Sequence, residues 1–184
     1  MAVITIGKAF DLEYAGGSPV LDGTDGTSDV PCVKDWMEAA AQTFKKGDPV
    51  YLDSDGKIAL VTASSNLVVT ILGFAMNDAT GVTDSPCSVR TITDGDRIVC
   101  NIKDSGGDSV TIQGMLGDVV GFDLDTTGGT NNLVANPAKT ATTNPFGRIS
   151  HFWTEANGYA DSAEALGDTN GRAVVTLRSF GFQG

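Results

Sequence analysis

The feature that most constrains the fold of this 184-residue chain is an internal repeat of strands and turns. The first copy contains Gly47-Asp48-Pro49-Val50-Tyr51-Leu52-Asp53, and the second contains Gly117-Asp118-Val119-Val120-Gly121-Phe122-Asp123. A later strand led by glycine also recurs, as Gly73-Phe74-Ala75 and as Gly147-Arg148-Ile149. Because one such unit is too small to bury its own apolar face, the repeat predicts a β architecture in which both halves share one core.

We interpret two further strands as the closing strands of the two copies. The first follows Gly95-Asp96 and places Ile98, Cys100 and Ile102 on one face, since side chains alternate along a strand. Its expected counterpart is the strand over residues 171–177. Neither copy contains a nucleophile motif, a metal-binding motif or a phosphate loop, so the repeat indicates a structural role.

Turn signals separate many short segments of strand character. Ser54-Asp55-Gly56 is a tight hairpin signal between Pro49–Asp53 and Lys57–Thr62. Further strands are predicted at Leu67–Met76, Val89–Ile92, Arg97–Ile102, Val110–Ile112, Val119–Leu124, Asn132–Ala135, Gly147–Trp153 and Ala173–Phe180. No long amphipathic helix joins two strands, which argues against a parallel α/β sheet. We therefore predict an all-β fold, a barrel-like or sandwich domain of two similar strand-turn-strand halves with an extended N-terminal arm.

The N-terminal arm differs from the rest of the chain. The predicted units are an arm over residues 1–34 and a β-barrel-like domain over 35–184, with duplicated segments at about 44–103 and 114–180. The arm has two short segments of strand character, Val3–Ile6 and Phe10–Tyr14, and then a run of turn formers. Because this composition buries little apolar surface, we expect the arm to become ordered against a partner or a neighbouring subunit.

One stretch of the domain favours a helix. Asp35 is a candidate N-cap, Glu38 completes a capping box and three alanines follow, so Asp35–Ala41 predicts one or two helical turns. The alternative is that Gln42-Thr43-Phe44 starts a strand that leads into the first repeat.

The composition narrows the classes of partner. Twelve Lys and Arg stand against 23 Asp and Glu, and the resulting net charge of −11 argues against a nucleic-acid partner. A basic or mixed-charge protein surface suits the chain better. No apolar run reaches the roughly 18 residues that a membrane span needs, and the N-terminus has no signal-peptide pattern. We expect no membrane partner and a cytoplasmic site of synthesis.

The residues that carry reactive chemistry are few. His151 is the one histidine, and the chain has no G-x-S-x-G motif for it to serve as a base, so we expect it to pack as a strand residue before two aromatic side chains. Cys32, Cys87 and Cys100 show no CxxC spacing, which favours buried apolar thiols over a metal or redox site.

The acidic residues cluster at turns, where aspartate bonds to nearby backbone N–H groups. Only Asp22–Asp29 has oxygen-bearing side chains spaced around glycines in a way that could gather a hard cation, and it lacks the full EF-hand pattern. Whether this loop binds a cation stays open. We predict no catalytic, cofactor-binding or metal-ligating residues and no cofactor.

The first repeat resembles the bacteriophage capsid cement, or decoration, proteins. The resemblance rests on the hairpin Lys46–Leu60 with its GD-x-V-x-x-D-x-D-G-K pattern, on Ile71-Leu72-Gly73-Phe74-Ala75 and on Gly95-Asp96-Arg97-Ile98-Val99. It covers about Phe44–Ile102 well. The second half, Gly117–Leu177, matches more loosely, and the arm matches no pattern of that family.

The resemblance implies a structural virion protein and no enzyme. Such proteins bind the outer surface of an assembled phage capsid, commonly as homotrimers, and stabilise the head by bridging neighbouring major capsid proteins. The implied locations are the capsid exterior and, during assembly, the host cytoplasm. The alternatives are a phage fibre or receptor-binding domain and a small hydrolase using His151. A major coat subunit is disfavoured by the length of the chain and by the absence of a long spine-like helix.

Overall fold

The structure is a computed structural model that describes residues 8, 10–11, 33–62, 71–92, 95–104, 107–108, 113–129, 131–139, 146–153 and 167–178. Within these residues the fold is all-β, as predicted. The strands are β1 (Phe10–Asp11), β2 (Val33–Met37), β3 (Pro49–Leu52), β4 (Ile58–Leu60), β5 (Ile71–Ala75), β6 (Pro86–Thr91), β7 (Arg97–Asp104), β8 (Gly107–Asp108), β9 (Val119–Asp125), β10 (Asn132–Asn136), β11 (Phe146–Trp153) and β12 (Arg172–Arg178). Two 3₁₀ turns, Gln113–Met115 and Thr127–Gly129, complete the described elements.

The first half of the chain forms one five-stranded sheet in the order β2-β6-β5-β3-β4. The neighbouring strands along this order are antiparallel. The predicted hairpin is present, with β3 and β4 joined through Ser54-Asp55-Gly56. A parallel bridge between Glu38, just after β2, and Ile58 of β4 joins the two ends of the order. The sheet is therefore barrel-like.

The second half repeats that topology strand for strand. Its five main strands follow the order β7-β12-β11-β9-β10, and β10 returns to pair in parallel with β7. The short strands β1 and β8 also pair with β7. Substituting β7, β9, β10, β11 and β12 for β2, β3, β4, β5 and β6 reproduces the first order, including its parallel closure.

The residue registers of the two halves agree as well. Val50 pairs with Gly73 in the first half and Val120 pairs with Gly147 in the second. On the next pair of strands Gly73 lies opposite Thr91, and Gly147 lies opposite Leu177. The prediction of two similar halves is confirmed. The bounds predicted for the arm, the domain and the two copies stay predictions, and β2 itself begins at Val33.

The predicted equivalence of the two closing strands is wrong. β7 and β12 are neighbours in one sheet, with Val99 opposite Val174, and β12 occupies the place that β6 has in the first half. The likeness between them arises at the turn before β7, where the Gly95 N–H donates to the Leu177 carbonyl and the Leu177 N–H donates to the Asp96 carbonyl. Gly47 and Asp48 make the same exchange with Ala75. A Gly-Asp turn thus precedes strands at different positions of the two barrels, so its presence does not show which strands are counterparts.

The predicted helical turns at Asp35–Ala41 are also wrong. Residues up to Met37 belong to β2, where Trp36 lies opposite Cys87 of β6, and Ala40 and Ala41 form a turn. Nor do residues 42–44 form a strand, although Phe44 is fully buried. Pairing with β6 and burial of the strand outweigh the local helix propensity of a short alanine-rich segment, because that propensity is weak.

The main core contains side chains of both halves, as the repeat predicted. Its first-half members are Val61, Ile71, Phe74 and Ile92. They pack with a second-half set composed of Ile98, Cys100, Ile102, Val120, Phe122, Leu133, Ala135, Ile149, Phe152, Ala173, Val175 and Leu177. The face predicted for β7 from alternation is therefore the face that enters this core. A second cluster around Phe44, Val50, Ile58 and Val89 fills the first barrel.

Candidate functional site

The described part of the N-terminal arm is attached to both halves of the domain. Phe10 and Asp11 of β1 pair with Val99 and Ile98 of β7. The Lys8 ammonium contacts the carboxylate of Asp48 in the first half, and it lies 3.5 Å from the Asn131 carbonyl in the second. The arm is thus ordered at these points by contacts within its own chain. The remainder of Phe10–Tyr14, the segment Val3–Ile6 and the Asp22–Asp29 loop lie outside the described residues.

A buried carboxylate holds a loop at the end of β2. The Glu38 side chain is fully buried, and its Oε2 accepts hydrogen bonds from the Thr80 N–H at 2.9 Å and the Thr80 hydroxyl at 3.0 Å. Its Oε1 accepts from the Gly81 N–H at 2.6 Å. The backbone of Glu38 also donates to the Ser85 carbonyl and accepts from the Asp84 N–H. The sequence pattern predicts Glu38 as part of a helix cap. An acidic residue followed by alanines gives no local sign that its side chain holds a loop about forty residues away.

Exposed apolar side chains gather at the same end of the barrel. Met37 is 53% exposed and Val82 is 61% exposed, and these are the exposed large hydrophobic residues within the described part of the chain. Met37 lies opposite the exposed Pro86 on β6, and Val82 lies in the loop that Glu38 holds. We call Met37, Val82 and Pro86 the apolar tip. Exposed apolar side chains that form a contiguous patch are the kind of surface that contacts another molecule.

The loop is also tied to the neighbouring hairpin. The Lys57 ammonium lies 2.7 Å from the Asp84 carboxylate. The hydrogen bond from Lys57 to Asp84 raises the pKa of Lys57 and outweighs the opposite effect of burial. Asp84 has a φ of 66°, a left-handed conformation that is uncommon for a residue other than glycine. Side-chain bonds on both sides thus hold the loop in one shape.

Five lysines of the described residues lie beside aspartates of the same chain. These ion pairs are Lys8–Asp48, Lys45–Asp78, Lys57–Asp84, Lys103–Asp125 and Lys139–Asp123. Burial would raise the pKa of Asp125, but hydrogen bonds from Lys103 and Thr127 lower it below its usual value. Because each pair neutralises one lysine and one aspartate, the net charge of −11 comes from the other charged residues of the chain.

His151 is placed differently from the expectation. It lies in β11 at a register irregularity, and its side chain is exposed, whereas the following Phe152 and Trp153 are buried. His151 is a strand residue, as expected, but the irregularity between Ile149 and His151 shifts the alternation of the strand and leaves the residue exposed. The neighbouring Ser150 hydroxyl bonds to Thr176 at 2.9 Å on β12.

The two described cysteines behave as the sequence predicted. Cys87 and Cys100 are buried free thiols. Burial raises the pKa of Cys87 to about 11 and that of Cys100 to about 12, so neither is a thiolate at neutral pH. Cys32 lies outside the described residues.

Two further searches concern the described residues alone. In that part of the chain no group of three or more His, Cys, Asp or Glu side chains is arranged to hold a metal ion. It also contains no helix long and apolar enough to cross a membrane.

Comparison with known families identifies the first half of the chain. Residues 4–92 match the family model described as phage cement protein. No curated protein and no solved structure is significantly similar to the chain.

The limits of the match coincide with structural limits. It ends one residue after β6, so it spans the complete first barrel and excludes the Gly95–Val99 segment that the sequence analysis had included. It begins at residue 4, so the view that the arm matches no pattern of the family is corrected. The role that this family supports is structural, namely stabilisation of a phage capsid. Residues 4–92 are similar to the phage cement protein family, which confirms over this segment the resemblance identified in the sequence.

Proposed function

We propose that this chain is a structural virion protein that binds the outer surface of an assembled phage capsid and bridges neighbouring major capsid proteins. The observation that carries the proposal is the family match over residues 4–92. The apolar tip supports it, because the matched segment includes Met37 on β2, Pro86 on β6 and Val82 on the loop that Glu38 fixes. A capsid surface that covers this tip would remove apolar area from water, which favours binding.

The proposal includes a homo-oligomer, a trimer, on the capsid exterior, assembled in the host cytoplasm. Several protomers held together multiply modest individual contacts, so an oligomer can bind a capsid tightly through small tips. Binding to the assembled state alone also stabilises that state by mass action, which is the physical meaning of a cement. The proposal assigns no catalytic, cofactor-binding or metal-ligating residue to the chain and makes it no enzyme.

The experiment that tests the proposal is sedimentation of the purified protein with expanded, undecorated phage heads. We expect saturable co-sedimentation and a higher temperature of head disruption when the protein is bound. The mass of the free protein, measured by sedimentation equilibrium, tests the trimer. Protein that stays in the supernatant at micromolar concentration, with heads that disrupt at an unchanged temperature, would contradict the proposal for those heads.

A further inference from the structure

The duplicated topology gives every strand of one barrel a counterpart in the other, and one pair of counterparts differs in its neighbours. Glu38 bridges to Ile58 in the first half as Ile102 pairs with Ala135 in the second. Glu38 and Ile102 are therefore counterparts. Three residues earlier on each strand, Asp35 of β2 corresponds to Val99 of β7. Val99 pairs with Phe10 of β1 along the edge that faces away from β12. Within the described residues no strand pairs with the corresponding edge at Asp35.

Hydrogen bonds on β6 show which way the backbone of Asp35 points. Ser88, opposite Asp35, accepts from the Met76 N–H, and its own N–H donates to the Asn77 side chain, so both of its backbone groups face away from β2. Asp35 and Ser88 are therefore a non-hydrogen-bonded pair, which directs the N–H and C=O of Asp35 away from β6. Two residues later, at Met37, the same edge faces β4, because the Glu38–Ile58 bridge and the bond from the Ala39 N–H to the Ile58 carbonyl close the sheet there. β2 thus presents the outward N–H and C=O of Asp35 on this edge, two residues before Met37 of the apolar tip.

We propose that this edge of β2 receives an extended segment of the capsid coat protein as an added strand, with an apolar side chain of that segment on the apolar tip. This proposal rests on the proposed function, and it specifies how the surface that contains the apolar tip binds the coat protein. Charge favours a segment with a basic residue beside Asp35, whose carboxylate is exposed and bonds to the Ser88 hydroxyl at 2.6 Å. Strand addition suits such a partner, because main-chain bonds supply affinity and a few side chains supply specificity.

A second copy of this chain fits the edge less well. A twofold pairing of β2 with itself, centred on Asp35, would place two carboxylates opposite each other, which is destabilising. Two copies also each carry a net charge of −11. The N-terminal strand β1 of each copy already pairs with its own β7.

The test compares full-length variants in binding to expanded, undecorated heads. Asp35→Pro removes the outward N–H without removing a bond to β6, and Asp35→Lys reverses the charge while leaving the backbone intact. Asp55→Lys makes the same charge change in the exposed turn of the β3–β4 hairpin and serves as the control. Circular dichroism and the urea midpoint establish that each variant is folded.

We expect Asp35→Pro and Asp35→Lys to bind at least about tenfold more weakly than wild type, and Asp55→Lys to bind as wild type does. If the wild type binds and both Asp35 variants bind equally well, the edge is not the docking site. If instead the free wild type is an oligomer that Asp35→Pro dissociates, the edge holds a second copy and the coat segment is excluded. Failure of the wild type itself to bind heads would count against the proposed function, not against this assignment alone.

Discussion

Gly73 lies so close to the backbone carbonyl of Arg90 that a Cβ atom at this position would overlap the carbonyl oxygen. The counterpart in the second barrel is Gly147, where an added Cβ would lie 2.8 Å from the carbonyl oxygen of Thr176 and would also meet Val175. Arg90 and Thr176 are themselves counterparts, each preceding the residue opposite its glycine. The glycine that leads the repeated strand is thus required by the same close approach of two strands in both halves.

We expect Gly73→Ala to destabilise the protein by about 2–4 kcal/mol, because a backbone carbonyl cannot turn aside as a flexible side chain can. Gly147→Ala should also destabilise, and by less, since part of its clash is with the Val175 side chain. Urea unfolding gives the free energies. Gly114→Ala, at a position with open space around the added carbon, is the matched control and should stay within about 0.5 kcal/mol of wild type. A Gly73→Ala variant as stable as that control would show that the two strands do not approach as described.

Replacement of the buried carboxylate tests the loop that carries Val82. Glu38→Gln keeps the size of the side chain but turns one acceptor into a donor that faces the N–H groups of residues 80–81. We expect a loss of about 1–3 kcal/mol in the free energy of unfolding. Hydrogen exchange should also show faster exchange of the Thr80 and Gly81 amides. Slow exchange of those amides in the variant, at unchanged stability, would mean that Glu38 does not hold the loop.

Removal of the Lys8 charge tests the attachment of the arm. Lys8→Met keeps most of the apolar stem and leaves the Asp48 carboxylate, 4% exposed, without this cation. We expect about 1–2 kcal/mol of destabilisation and faster proteolytic cleavage near the N-terminus. Lys46→Met makes the same change at an exposed lysine and should leave both measurements at wild-type values. Equal cleavage rates in the two variants would argue that the arm is held by β1 alone.

The Lys103–Asp125 pair predicts a pH dependence of stability. The pKa of Asp125 is lowered in the folded protein, so its ionised form contributes stability that is complete above the unfolded pKa of about 3.9. That contribution is lost as the pH falls through the lower folded pKa. Urea unfolding at pH 5 and pH 3 should therefore show a smaller fall in stability for Asp125→Asn than for wild type. Asp55→Asn, in an exposed turn, should follow wild type, and a parallel course of all three curves would contradict the prediction.

Burial of the thiols predicts their reactivity. In a Cys32→Ser variant, Cys87 and Cys100 should react with iodoacetamide at pH 8 only at the rate at which the protein opens, because the pKa of each thiol lies near 11 or 12. Both should react at once in denaturant. Labelling is read by mass spectrometry of peptides that contain each cysteine. Rapid modification of the native protein would show that one of these thiols is accessible.

Local patterns were enough to locate most of the strands. The hairpin at Ser54-Asp55-Gly56, the alternation of Ile98, Cys100 and Ile102, and the repeated Gly-Asp turns depend on residues within a few positions of each other, and the structure confirms them. Such signals survive folding because turn chemistry and side-chain alternation are properties of short segments of backbone. The resemblance to the cement proteins that the sequence shows rests on the same kind of short segment.

Only the tertiary structure shows which strands are counterparts and which strand edge and side chains lie at the surface. The similar sequences of β7 and β12 suggest counterparts, whereas the two strands are neighbours in one sheet. The capping-box pattern at Asp35–Glu38 suggests a helix, whereas Asp35 lies at a strand edge and the buried Glu38 side chain holds a loop. Strand order and the use of Glu38 depend on partners about forty or more residues away, whose contacts outweigh local propensity once apolar area is buried. By itself the sequence determined an all-β duplicated protein whose first half resembles the phage cement proteins. Which edge and which apolar side chains that protein presents was settled only when its distant segments packed together.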